Sequence, residues 1–472
     1  MRPHMRARRE GPTRRSFLAR AASLAALLSA PGCGPSTMTG PAAPPPVLLA
    51  VLDTVRARSC GAWGYGRNTT PHLDALAASA TQYRHAISTA PWTLPAHVSL
   101  FTGDYTMTHG VRGHLYRDDT GARRIRENFL PDEALTIAEE LHGAGYATGS
   151  FSANTGYMAP YFNLAQGFET YHLERIHGVD LADRALSWVD AQRAPYFLFC
   201  NVMDAHRPYN LRPSPDTLPE AVPDDHGLLD ALREKTLAHP ESLDVALAAQ
   251  VTAQYDLGIA NADRALGRLI AGLEARGDYE RALIIVCSDH GEYLGEHGLV
   301  EHSKDVFQEA VHVPLVVKGP GQRKARRVDN PVSLTQVPAT IRAYAGLNGG
   351  GRAPALGAAA DDYPILSENY YSRDWDFTDP RWPGRFDRIR TAFYQGPWKL
   401  IHSTDGDDAL FNLHEDPREL RNRKGDESAI YAALRRACLD EMAARQSPAL
   451  SGGDMPPPPE SVQDALGALG YL

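Results

Sequence analysis

Short apolar runs recur along the chain: VLLAVL at 47–52, YATGSF at 146–151, YFLFCNV at 196–202, LIIVC at 283–287 and VPLVV at 313–317. They lack the strict polar–apolar alternation of half-exposed strands and read as strands buried on both faces. Between them, the stretches 71–82, 133–143, 180–191, 251–275 and 334–345 repeat apolar residues with a helical period. Strands alternating with helices predict an α/β fold, a mostly parallel sheet sandwiched by helices. Thr70-Pro71 places a cap and a first-turn proline at one helix start. After about Gly346 the pattern changes. GLNGGGRAPALGAAADD reads as a linker or long loop, and RIRTAFYQ, WKLIHST and ALFNLHED read as three short strands separated by turns at Gly396-Pro397 and Asp405-Gly406. With a helix at about 427–444 they predict a smaller C-terminal α+β lobe. The segment 207–246 carries prolines and charges without a clear strand, and reads as an excursion over the site.

The N-terminus follows a different rule. TRRSFLARAASLAALLSAPGCG has twin arginines, Arg14 and Arg15, then an apolar stretch from about Leu18 to Leu28, then Cys33. Residues 1–32 read as a twin-arginine export signal, which places the mature chain in the periplasm or at the cell surface. Cys33 is either a lipid-bearing residue or an ordinary one; Pro31 makes the cleavage motif a poor match. Residues 33–46 read as a Pro-rich tether, 47–345 as the catalytic α/β domain, and 346–472 as linker plus C-terminal lobe. The net charge is −9, but the first 32 residues hold seven arginines and one glutamate, so the remainder carries −15. So acidic a body argues against nucleic acid as a partner. Cys60, Cys200, Cys287 and Cys438 show no paired spacing and read as buried free thiols.

Three of the buried runs deliver chemistry at their carboxyl ends. VLLAVL runs into Asp53, YFLFCNV into Asp204 and His206, and LIIVC into Asp289 and His290. Ligands of parallel sheets bind outside those ends. A carboxylate beside a buried strand is costly unless it is paired or meets a cation. Each aspartate taken singly is equally a helix cap or turn residue, and for Asp204 that reading stays open. Together the three strand ends favour a cation site. The stretch STAPWTLPAHVSLFTG (88–103) sets Thr93 at or just before a helix start, with Pro95 in the first turn and His97 one turn on. A helix N-terminus suits an anion, and a threonine hydroxyl beside a divalent cation becomes a competent nucleophile toward phosphorus or sulfur. The alternative for Thr93 is a helix cap.

These residues resemble the sulfatase-like hydrolases of the alkaline phosphatase superfamily. The resemblance rests on VLLAVLDTVRA, TTPHLDALAASA, TLPAHVSLFTG, MDAHRPY, YDLGIANADRALGRLIAGL, SDHGEYLGEHG and VHVPLVVKGPG, in that order, with GPWKLIHS, LFNLHEDPRE and DALGALGYL as weaker matches near the end. It implies that Asp53, Asp289 and His290 are metal ligands, that Thr93 is the nucleophile and that His206 contacts substrate or transition state. His302 and Lys304, in EHSKDVF, fall where the family often sets a cationic residue against the substrate anion. His97 either positions Thr93, binds a substrate oxygen or packs in the core. Two departures stand out. Sulfatases carry at the nucleophile position a cysteine or serine that becomes formylglycine, and threonine cannot be converted. The family's site also often uses two adjacent aspartates, where this chain has Asp53-Thr54. The resemblance is therefore to threonine-dependent phosphodiesterases and phosphotransferases of the superfamily.

The expectation is an exported hydrolase or transferase of phosphate or sulfate esters, acting through covalent Thr93 with one divalent metal ion. Imidazole among the ligands favours manganese or zinc over calcium or magnesium. The rivals are a sulfatase using unmodified threonine and a non-catalytic member that binds an anionic glycan. The substrate class is a small-molecule, lipid-headgroup or glycan ester.

Overall fold

The computed structural model describes residues 44–193, 195–209, 222–223, 225, 227–347, 351–358, 363–371, 373–446 and 457–469. The export signal, Cys33 and most of the tether lie outside the described residues. Residues 44–472 form one compact unit. At its centre is an eight-stranded sheet whose middle strand, Val47–Leu52, is the fully buried VLLAVL run. It pairs in parallel with Tyr196–Val202 on one side and Leu283–Cys287 on the other. Ala147–Ser152 and Thr170–Leu173 continue the sheet in parallel beyond Tyr196–Val202. On the opposite side Leu315–Lys318 pairs antiparallel with Leu283–Cys287, and the short strands Thr81–Tyr83 and Arg326–Val328 complete the edge. All five apolar runs lie in or overlap strands of this sheet, although VPLVV is broken at Pro314 into two strands.

The helices fall where the periodicity places them, with shifted ends: Pro71–Ala77, Ile137–Gly143, Gly178–Asp190, Val245–Arg276 and Gln336–Tyr344. Two of their N-termini are satisfied from a distance. Thr70 occupies the cap position, but its hydroxyl bonds Asp74 and makes no cap bond. The free N–H groups of His72 and Leu73 go instead to the Asp263 carboxylate, each at 2.8 Å, from the long helix Val245–Arg276. Asp204 plays the same part for Gly178–Asp190, accepting from Gly178 N at 2.8 Å. Such bonds use the donors that a helix start leaves open.

The segment 88–103 supplies a ten-residue helix, Thr93–Thr102, fully buried along its length. Thr93 is its first helical residue and Pro95 its third, where a proline costs no internal hydrogen bond. Gly103 closes it at φ 82, a left-handed conformation open to glycine. Beyond 346 the three anticipated strands appear as Arg390–Gln395, Trp398–Ser403 and Ala409–Asn412, with the helix Ser428–Arg445. A fourth strand, Ile365–Asn369, was not anticipated; it completes an antiparallel sheet on the edge of Arg390–Gln395. This lobe is tied to the catalytic segment: Glu368 N donates to Thr89 O at 2.8 Å and the Tyr105 hydroxyl to Pro364 O at 2.7 Å. The part of 207–246 that is described includes the helix Leu228–Ala238. Among the described residues, Cys60, Cys200, Cys287 and Cys438 are buried and unpaired.

Candidate active site

Asp53, Asp289 and His290 meet at the carboxyl ends of the two adjacent central strands, all fully buried, with their ligand atoms within 4.8 Å of one another. The turn that delivers Asp53 is heavily constrained. Thr54 sits at φ 68, a strained backbone for threonine. It is held there by three bonds. Its N–H donates to Asp289 Oδ1 at 3.1 Å, its hydroxyl to Asp53 Oδ1 at 2.8 Å, and its carbonyl accepts from the Tyr255 hydroxyl at 2.7 Å. Thr54, standing where a second acid is common in the family, thus fixes the Asp53 carboxylate. The other Asp53 oxygen faces two amides, Asn201 Nδ2 at 3.2 Å and Asn154 Nδ2 at 3.4 Å.

His290 Nδ1 lies 3.0 Å from Gly291 O. A carbonyl only accepts, so Nδ1 carries the proton and Nε2 presents a lone pair. Burial pushes this imidazole down to about 4, which keeps it neutral. Its Nε2 stands 3.2 Å from Thr93 Oγ1, 3.4 Å from Asp289 Oδ2 and 3.9 Å from Asp53 Oδ1. Asp289 Oδ2 has no hydrogen-bond partner, and burial raises its carboxyl pKa. A neutral lone pair, two carboxylates and one hydroxyl, all on buried residues, converge on one point. That donor set fits a divalent cation, with nitrogen and oxygen ligands suited to zinc or manganese.

His97 stands behind this cluster. Its Nδ1 donates to Thr93 O at 3.0 Å and its Nε2 accepts from Asn201 Nδ2 at 3.3 Å. Its Nδ1 is also 3.5 Å from Asp289 Oδ2, and its ring stands edge-on to Phe101 and Phe199. Of the three readings of His97, the geometry matches positioning and packing, and no ring nitrogen is left for a substrate oxygen. His206 and His302 extend the cluster on its other side. The His302 ring is centred 4.5 Å from His290 and 5.1 Å from His206. His206 Nδ1 donates to Arg207 O at 2.7 Å, and burial holds His206 down to about 4. His302 Nδ1 lies 3.1 Å from Glu292 Oε1 and its Nε2 3.4 Å from Arg373 Nη2. Lys304 is apart from the cluster: its Nζ pairs with Asp376 at 2.9 Å over the Trp375 ring, and burial lowers its ammonium to about 8. Asp204, the third strand-end acid, is the helix cap described above and does not join the cluster.

Four groups of this neighbourhood escaped the sequence reading. Asn201 and Asn154 stand at strand ends, as the lone amide inside YFLFCNV and just after Ala147–Ser152, a signal that acid and imidazole side chains overshadowed. Glu292 lies within DHGE. Arg373, fully buried, comes from the C-terminal lobe, and nothing in its sequence neighbourhood points to the site.

A second acid–imidazole group, His297 with Glu309 and Glu419, is also close enough for a metal. It differs in charge. Arg58 pairs with Glu309, and Lys399 Nζ is 2.6 Å from Glu419 Oε1, so cations are already supplied. Burial opposes ionisation of Glu309, but His297 at 3.3 Å and Arg58 hold its carboxyl down to about 2. Its stabilising effect is therefore present above the unfolded carboxyl range near 4.5 and fades as pH falls toward 2. Glu309→Gln is expected to cost on the order of 3 kcal/mol at pH 6. Its melting temperature should converge on that of the wild type by about pH 2; a gap independent of pH would refute the ionic account.

The sulfatase family model matches residues 45–347, and the chain belongs to that family, within the alkaline phosphatase superfamily. The ulvan-active sulfatase of Formosa agariphila is 26% identical over 326 residues, covering 62% of this chain and 60% of that protein's length. The multifunctional alkaline phosphatase superfamily protein PehA of Trinickia caryophylli is 26% identical over 461 residues, covering 77% of this chain and 87% of that protein. Among solved structures, the phosphonate monoester hydrolase of Agrobacterium radiobacter shares the fold with a TM-score of 0.64 at 19% identity, covering 85% of this chain and 96% of that one.

Proposed function

We propose that this chain cleaves phosphate or sulfate esters through a covalent intermediate on Thr93, with one divalent cation held by Asp53, Asp289 and His290. The observation that carries the reading is the convergence of the His290 Nε2 lone pair, both carboxylates and Thr93 Oγ1, with Asp289 Oδ2 left without a hydrogen bond. A divalent cation there favours ionisation of a nearby hydroxyl and offsets charge on the transferred group. The remaining work falls to the protein. The start of the helix Thr93–Thr102 turns its positive end toward an entering anion. Thr93 Oγ1 forms the new bond to phosphorus or sulfur, its own proton passing to solvent. An anion beside His206 raises the basicity of that ring, whose Nε2 then holds the proton that the departing oxygen takes. Water attacks the Thr93 ester in the second step: the bond to Thr93 Oγ1 breaks, that oxygen takes back a proton from solvent, and the proton shed by the attacking water returns to His206. His97 and Asn201 hold the Thr93 backbone and the Asp53 carboxylate in place.

The relative named an ulvan-active sulfatase supports a glycan ester as substrate. The deciding experiment is a panel of 4-nitrophenyl phosphate, bis(4-nitrophenyl) phosphate, phenylphosphonate and sulfate esters, each with manganese, zinc, magnesium and calcium. Turnover of at least one ester that is lost on chelation and restored by one of these metals is expected. Absence of turnover in every combination overturns the proposal. The export reading of residues 1–32 makes this an extracytoplasmic enzyme. Arg14→Lys with Arg15→Lys should leave the precursor in the cytoplasm, and normal export of that variant would refute it.

A further inference from the structure

The central sheet presents one more charged side chain at the edge that carries the site. Leu173 pairs with Ser152, Ser152 with Asn201, Asn201 with Val51 and Val51 with Cys287, so these residues form one row across the sheet. Two positions further along each strand stand Arg175, Asn154, Met203, Asp53 and Asp289. Arg175 thus leaves the carboxyl end of its strand level with two of the ligand candidates, and parallel sheets bind their ligands outside those ends. Three strand spacings, roughly 14 Å, separate its backbone from that of Asp53, and an extended arginine crosses about half of that.

The backbone around Arg175 is fixed without help from its side chain. Glu174 N donates to Ser152 O at 3.1 Å, Ile176 packs against the core, and Gly178 N donates to Asp204 Oδ2 at 2.8 Å. A Cβ on Gly178 would stand 2.6 Å from that oxygen and 2.5 Å from Val202 Cγ1, so glycine lets the helix start press closely on the strand that leads to His206. His177 Nδ1 lies 3.5 Å from the other Asp204 oxygen. Asp204 therefore ties the loop that carries Arg175 to the loop that carries His206. Asp204 is engaged by those two groups, and Glu174 by Arg184 at 3.0 Å and His172 at 3.2 Å. Arg175 itself makes no hydrogen bond or ion pair among the described residues. Its side chain is exposed, yet the protein around it lowers its guanidinium by desolvation and no acid raises it again. That combination is the mark of a group on the wall of an open depression. Its charge is among those felt at His206.

We propose that Arg175 is a substrate-binding residue that receives an oxyanion on the alcohol portion of the ester, beyond the group that is transferred. The substrate class is then an ester whose alcohol carries its own carboxylate, sulfate or phosphate. This rests on the ester-cleaving reading above, in which His206 meets the departing oxygen. Arg175 stands two strands beyond the one that leads to His206, on the side away from Asp53 and Asp289, so it faces what lies past the departing oxygen. A guanidinium stays charged and pairs its N–H donors with an oxyanion, which gives the contact direction as well as charge.

The test uses the full-length protein loaded with manganese or zinc, and its Arg175→Gln and Arg175→Lys variants, whose fold is checked by circular dichroism. Whichever ester class is turned over is supplied as its phenyl, 3-carboxyphenyl and 4-carboxyphenyl esters. The ratio of kcat/KM for the better carboxylated ester to that for the phenyl ester should fall about tenfold or more from wild type to Arg175→Gln, and Arg175→Lys should restore part of it. Leaving-group reactivity is the same for each protein and cancels from that comparison. A second readout needs no turnover. In a thermal shift, 4-carboxyphenylphosphonate should bind the wild type about tenfold more tightly than phenylphosphonate, and the two should act alike on Arg175→Gln. Failure to cleave any ester would count against the function while leaving this readout intact. A carboxylate advantage that is absent from the wild type, or that survives Arg175→Gln, would make Arg175 a solvated surface residue and overturn the assignment.

Discussion

Asp289→Ala is expected to yield a folded chain that holds no stoichiometric divalent metal and, if the proposed function holds, cleaves esters at least about a thousandfold more slowly than the wild type. Asp289 is fully buried and contributes to the site twice. Oδ2 faces the convergence point without a hydrogen bond, while Oδ1 accepts from Thr54 N and so helps to hold the strained turn after Asp53. Removing the side chain therefore takes away one ligand and loosens another. Stability without metal should change little or rise, because one of two neighbouring buried carboxylates is gone. The measurement is metal content after gel filtration, joined to melting with and without added manganese or zinc. Wild-type protein should gain about 2.7 kcal/mol when free metal stands a hundredfold above its dissociation constant, and the variant nothing. A variant that retains one metal per chain would remove Asp289 from the site.

Thr93→Ala should separate the nucleophile from the metal. Three ligands remain in that variant, so the metal-dependent rise in melting temperature persists while turnover falls by roughly three to six orders of magnitude. Thr93→Ser keeps the hydroxyl and loses a methyl group that restricts χ1, so it should retain activity within about a hundredfold of wild type. With a slow substrate and an acid quench, the phosphoryl or sulfuryl mass should map to the peptide containing WTLPAHVSLFTG. An alanine variant turning over near the wild-type rate would make Thr93 a helix-start residue and assign attack to water. An adduct on another peptide would move the nucleophile elsewhere.

Much of the first site was legible because it lies at strand ends. A run such as VLLAVL or LIIVC declares a buried strand through composition alone, and an acid or imidazole directly after it has one place to go in a parallel sheet. Asp53, Asp289 and His290 were singled out in that way and Thr93 by its place at a helix start, with the resemblance supplying the roles expected of them. The same rule gave a false lead at Asp204. Its position after Tyr196–Val202 matched that of the ligand candidates, but its carboxylate meets the N-terminus of Gly178–Asp190. A sequence does not say whether the nearest positive partner of a strand-end acid is a metal ion or a helix start. The cap at Pro71–Ala77 shows the converse. Local chemistry pointed to Thr70, and a carboxylate some 190 residues away took the bonds.

The amino-acid sequence by itself determined the alternation of strands and helices, the buried strands at the middle of the sheet, the helix that begins at Thr93 and the acids and imidazoles at the strand ends. These follow from local pattern, since a strand or helix period and the residue that ends it are written within a few positions. Tertiary structure alone decided which acids face one another, the tautomer of His290, and the closure of both nitrogens of His97 on Thr93 and Asn201. It also brought Arg373 from the C-terminal lobe to Glu301 and His302, across 71 or 72 residues of chain. The physical reason is that charge pairing and desolvation depend on distance in space and on exclusion from water, and neither is a property of a residue and its neighbours in sequence.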